Sequence, residues 1–130
     1  MSSTQIVTGW DRKNGEKVAK TLTVEPGMFL SESLVTDSLV YEVVKVTAKS
    51  VTVRRTMTGG AIYDDERCDK GAHGLPVVWE EQVTKPEAET RTLRVRKDGT
   101  IRAGSHVGAR PFHKTPMVNG RPARRVDYRF

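Results

Sequence analysis

No window of this chain keeps apolar residues at helical spacing for three turns, and that constrains the fold more than any motif it contains. Its apolar runs are rich in β-branched residues and are cut at short intervals by Gly, Pro, Asn or Asp, the pattern of strands joined by turns. Eight segments fit that description: Gln5–Gly9, Val18–Val24, Leu39–Thr47, Ser50–Met57, Val77–Val83, Thr90–Arg96, Thr100–Ala103 and Arg124–Phe130. The best helical candidate, Phe29 to Val35, is one or two turns long. Short strands at this spacing predict a mostly β chain with little helix, a compact antiparallel β-barrel or sandwich with hairpin extensions.

A chain of 130 residues has the size of one domain, and burial of roughly two-thirds of its unfolded surface gives it a core without help from metal or disulfide. The expected organisation is a single β domain over 1–130, with residues 1–4 flexible and 64–75 a polar surface loop. Cys68 is the sole cysteine, so no internal disulfide can form and a reducing compartment is expected. The first residues carry no signal-peptide pattern, and no run approaches the ~20 apolar residues of a membrane span, so a cytoplasmic, membrane-free protein is expected. An exposed strand edge would allow a homodimer as readily as a monomer.

Side-chain alternation sets expected registers. Across Leu39–Met57, a two-residue turn at Ala48-Lys49 pairs Val46 with Val51 and Val44 with Val53, and sets Glu42 opposite Arg55. The other face then carries Tyr41, Lys45, Thr52, Arg54 and Thr56, with Val43 as its only aliphatic member, and is expected to be wet. In Arg94–Arg102, a three-residue loop Lys97-Asp98-Gly99 with a left-handed Gly99 pairs Val95 with Ile101. It also sets Arg94 opposite Arg102 with Arg96 on the same face, a like-charge arrangement that calls for an anion or for a carboxylate such as Glu80, Glu81 or Glu89. Asn119-Gly120 reads as a turn, and Arg124–Phe130 alternates so that Val126, Tyr128 and Phe130 share one face.

Charge is distributed unevenly. Residues 91–130 hold 11 Lys and Arg, nine of them Arg, against Asp98 and Asp127, whereas residues 1–90 carry a net −3 within a whole-chain charge of +6. The basic C-terminal hairpins are the one constellation that points to a ligand, because guanidinium forks suit phosphate. Arg94, Arg96 and Arg102 form the expected centre of a nucleic-acid-binding patch, with Arg110, Arg124, Arg125 and Arg129 supporting it. Lys45 and Arg54 extend it, and Tyr41 or Trp79 would stack on a base.

No serine-hydrolase elbow, zinc-protease helix, phosphate loop or dinucleotide fingerprint occurs, so neither an enzyme nor a cofactor is expected. The stretch Tyr63–Gly74 gathers Asp64, Asp65, Glu66, Cys68, Asp69 and His73, but the Cys68 to His73 spacing matches no common metal-ligand pattern. His106 and His113 lie among Gly, Arg and Pro residues and would add charge below neutral pH.

Residues 26–57, from Pro26-Gly27-Met28 through Ser38–Val44 to Val51–Arg55, resemble the opening hairpins of SH3-like barrels, including KOW- and Tudor-type modules. That resemblance implies a small barrel that binds RNA, DNA, peptides or proteins. The arrangement of Pro76–Glu80, Leu93–Gly99, Gly120-Arg121-Pro122 and Asp127-Tyr128 resembles small uncharacterised proteins of bacteriophages that infect actinobacteria. It implies a binding role in the host cytoplasm and carries over no functional residues. The expected function is non-enzymatic binding of nucleic acid, DNA or RNA, through backbone contacts with low sequence specificity. The alternative is a module that engages a host or virion protein through its barrel rim and acidic loop.

Overall fold

The computed structural model describes residues 3–33, 38–62, 78–104, 109–118 and 120–126. Among them every regular element is a strand: β1 (Thr4–Lys13), β2 (Glu16–Val24), β3 (Phe29–Ser33), β4 (Ser38–Val46), β5 (Ser50–Arg55), β6 (Met57–Ile62), β7 (Val78–Val83), β8 (Thr90–Arg94), β9 (His113–Lys114), β10 (Met117–Val118) and β11 (Arg121–Val126). They form a two-stranded ribbon β1-β2, a five-stranded sheet in the order β8-β5-β4-β3-β9 and a four-stranded sheet in the order β10-β11-β7-β6. Each ladder is antiparallel. None of these sheets closes on itself, so of the two expected all-β forms the chain adopts the sandwich-like one. No helix long and apolar enough to cross a membrane occurs among the described residues.

The main core lies against the five-stranded sheet. Leu30, Val43, Val46, Val51, Val53 and Leu93 project from its strands, Ile101 and Phe112 cover them from the C-terminal segment, and Ile6 and Val24 close the cluster from the base of the ribbon. A smaller cluster, Ile62, Trp79, Val118 and Ala123, belongs to the four-stranded sheet. The chain passes from one sheet to the other at Thr56, the single residue between β5 and β6. Its buried hydroxyl lies 3.0 Å from the Val40 carbonyl and 2.9 Å from Gln82 Oε1, so the corner leaves no polar group stranded.

Three expectations are corrected. Phe29 to Ser33 is a strand, because β4 and β9 supply backbone partners on both sides and bury Leu30 and Ser31, which outweighs a weak helical preference. The Val46–Val51 pairing is as expected, but a β-bulge at Val44 pairs Val43 with Val53 and Glu42 with Arg54. The extra residue lets Val43 and Val46 share the core face although they are three apart, and leaves Val44 39% exposed. It also turns Tyr41 into the core and Glu42 out of it. Thr100–Ala103 is not a strand, since after Ile101 the backbone is held by Phe112, whose amide donates to the Ile101 carbonyl at 2.9 Å.

Two elements are longer than expected or new. Gln5–Gly9 and Val18–Val24 are parts of one hairpin that turns at Asn14-Gly15, both left-handed at φ 52° and 80°. Strand β6 was hidden by its Gly59-Gly60 pair, since glycine reads as a break in a strand pattern. Val118 stands opposite Arg121, while Asn119 of the expected Asn119-Gly120 turn, Tyr128 and Phe130 lie outside the described residues.

Gly99 holds the ribbon to the body: its φ is +86°, a Cβ there would lie 2.8 Å from Val7 Cγ2, and its carbonyl accepts from the Val7 amide at 2.9 Å. Gly99→Ala is expected to cost about 2–3 kcal/mol, backbone strain plus the clash, against about 1 kcal/mol for Gly15→Ala, where the added methyl meets open space. Urea denaturation of the two variants measures the difference.

Candidate nucleic-acid interface

The ladders on either side of β5 decide which cations face outward. Val46, Val51 and Leu93 form one cross-strand row and are all buried. Alternation then turns the neighbouring rows to the opposite face: Lys45, Thr52 and Thr92 on one side, Ser50 and Arg94 on the other. The Thr52 and Thr92 hydroxyls meet at 3.0 Å, and Lys45 and Arg94 are exposed. Strand and residue spacings put these two cations about 12 Å apart on the face.

Two turns extend this basic end. The Val95 amide donates to the Lys49 carbonyl at 2.8 Å, which seats the β4–β5 turn beside the chain leaving β8. Exposed Lys49 and Lys97 therefore join Lys45 and Arg94. Neither Lys45–Thr52 nor Arg91–Lys97 contains a carboxylate. Lys49 and Lys97 escaped the sequence reading although both turns were placed correctly; their position at the tips of adjacent hairpins was the available signal.

The expected Arg94–Arg96–Arg102 centre does not assemble. The loop itself is as expected, with the Arg96 amide on the Thr100 carbonyl and the Gly99 amide on the Arg96 carbonyl, both at 2.9 Å. Arg102, however, reaches Asp98 Oδ2 at 3.4 Å, Thr100 Oγ1 at 3.0 Å and the Ala109 carbonyl at 2.5 Å. The carboxylate that meets Arg102 is thus Asp98 of the same turn, whereas Glu80 and Glu81 meet Arg124 and Arg121. Arg96 donates to the Gly104 carbonyl and Arg91 to the Ala103 carbonyl. Arg94 is the member of the trio left facing solvent.

Much of the remaining basic third is also engaged internally. Arg124 stands directly opposite Glu80 in the β11–β7 ladder and meets it at 3.3 Å, and Arg121 reaches Glu81 at 3.5 Å. Arg125 is opposite Trp79 in the same ladder, Arg110 is exposed beyond buried Ala109, and Arg129 lies outside the described residues. Arg54 is held at 2.8 Å by Glu42, whose second oxygen accepts from Thr84 at 3.0 Å.

Tyr41 is no stacking platform: it is 8% exposed, its ring packs 5.2 Å from that of Phe112, and Arg55 lies 5.6 Å over it. Burial, with Glu32 nearby, pushes its phenol pKa up. Trp79 is buried in the smaller core. Beside Tyr41, at the far end of β5 from Lys49, a groove of about 310 Å³ is lined by Arg54, Arg55 and Arg91 together with Glu89, and Arg54 is already paired with Glu42.

His113 is half-buried on β9, and burial pushes its pKa down against a hydrogen bond involving the Pro111 backbone, so it gains charge less readily than expected. Cys68, His73, His106 and the acidic loop lie outside the described residues. Among those described, no group of three or more metal-ligating side chains converges. Comparison with family models, with curated proteins and with solved structures finds no match.

Asp98 gives the site a pH signature. The Thr100 hydroxyl and amide, then Arg102 and Arg96, hold its carboxyl below the usual aspartate value. Its ionised form therefore stabilises the fold above the ordinary aspartate range, and that contribution is lost as pH falls through the lowered value. Asp98→Asn is expected to lower the urea midpoint at neutral pH, with the gap from the parent closing in strong acid. A gap that persists unchanged in acid would contradict this role.

Proposed function

We propose that this protein is a non-enzymatic nucleic-acid-binding module whose contact surface is the basic end of the five-stranded sheet, with Lys45, Lys49, Arg94 and Lys97 meeting phosphates. The observation that supports it is the register of β4, β5 and β8, which turns exposed cations outward on segments that contain no carboxylate. The Thr52–Thr92 hydroxyl pair between them, whose own hydrogen bond uses one proton, keeps the other to donate to a phosphate oxygen. Backbone contacts of this kind carry affinity but little sequence information. The resemblance to small phage proteins favours binding over catalysis on the same footing. A host or virion protein as partner is the rival reading.

Fluorescence anisotropy with labelled duplex DNA, single-stranded DNA and RNA tests the proposal. Four phosphate contacts predict roughly a hundredfold loss of duplex affinity between about 50 and 200 mM salt. Lys45→Glu with Arg94→Glu is expected to weaken binding by at least about tenfold, since two favourable contacts become repulsive, with unfolding curves unchanged. Tight binding by that variant, or no binding by the parent at low salt, would overturn the proposal.

A further inference from the structure

The β1–β2 ribbon springs from the same end of the molecule as the proposed contact surface. Its base is fixed on both sides: Thr4 Oγ1 donates to the Ala48 carbonyl at 3.3 Å in the β4–β5 turn, and Val7 is bonded to Gly99 in the turn that carries Lys97. Ile6 and Val24 are fully buried there. Beyond a bulge between Val7 and Gly9 the ribbon leaves the body, and every residue from Asp11 to Thr21 is exposed. Five residues from Gly9 to Lys13 carry the tip about 17 Å outward.

The two faces of this ribbon differ in charge. On one, Lys20 pairs with Asp11 at 3.3 Å and Lys13 stands opposite Glu16, so the charges cancel. On the other, Arg12 stands directly opposite Lys17, next to the Trp10–Ala19 pair, with no carboxylate on that face. Lys17 lies 4.7 Å over the Trp10 ring, which holds its charge in place. Like charges set opposite one another on an exposed ribbon destabilise it, and an anion brought to that face relieves the repulsion.

We propose that the ribbon is a groove-directed arm for duplex DNA, with its Arg12/Lys17 face turned to the nucleic acid while the basic end of the sheet holds the adjacent backbone. The inference rests on the nucleic-acid reading above and adds the class of partner. A two-stranded ribbon fits the B-form major groove, about 12 Å wide and 8.5 Å deep, and the projecting length exceeds that depth. The A-form major groove is too narrow for such an arm, so duplex RNA should bind less well.

The test measures anisotropy of the full chain with duplex DNA, one of its single strands and duplex RNA. The parent is expected to prefer duplex DNA. Arg12→Ser with Lys17→Ser should weaken duplex DNA binding about tenfold and flatten its salt slope by about 1–2, with single-strand affinity little changed. Lys13→Ser with Lys20→Ser removes equal charge from the other face and should do much less. Lys45→Glu with Arg94→Glu should weaken all three ligands. Equal loss from both ribbon pairs, or an unchanged duplex affinity in Arg12→Ser with Lys17→Ser while the sheet variant loses binding, would overturn the arm and leave the sheet reading standing. Binding that survives the sheet variant would instead overturn the sheet reading.

Discussion

Strand β5 is hydrogen-bonded on both sides, to β4 and to β8, and its Val51 and Val53 are fully buried beneath Ile101 and Phe112. The outward face of the five-stranded sheet follows from that ladder. Burying alternate residues of three adjacent strands forces the intervening ones outward, so Lys45, Thr52, Thr92 and Arg94 share a surface because their neighbours share a core. A one-residue slip would exchange core and surface along the whole strand. The bulge prevents that mismatch by absorbing Val44, one of the two residues that separate Val43 from Val46 in sequence.

A second constraint is electrostatic. The basic C-terminal third does not present its charge freely, because β11 is hydrogen-bonded to β7, the strand that carries Glu80 and Glu81. Arg124 and Arg121 meet those carboxylates, Arg102 meets Asp98, and Arg96 and Arg91 donate to backbone carbonyls. Among the described residues of that third, Arg94, Lys97, Arg110 and Lys114 remain outward. Ion pairs that are partly exposed contribute little to stability individually, so their main effect is to decide which cations remain available.

The strands and several turns were legible in the sequence, since period-two alternation and Gly or Asn punctuation act over a few residues. The Lys97-Asp98-Gly99 loop and the Val46–Val51 pairing are examples. The bulge was not legible, because Val43, Val44 and Val46 are chemically equivalent and only packing selects among them. The ribbon was legible in principle from Asn14-Gly15, but its polar strand residues give no alternation toward a core. The candidate site was legible only in part: of the cations singled out from the sequence, Lys45 and Arg94 face outward, whereas Arg54, Arg96, Arg102 and Arg124 find partners inside the fold.

The sequence by itself determined the all-β class, the position of most strands, the excess of arginine near the C-terminus and the left-handed glycine at the turn after Lys97. These depend on local sterics and on side-chain pattern. The tertiary structure alone decided which sheets form, which cations are neutralised, and that the ribbon emerges beside the basic end of the sheet. Those outcomes require residues distant in sequence to meet, as Glu80 meets Arg124 and Ala48 meets Thr4, and no local propensity encodes such a meeting.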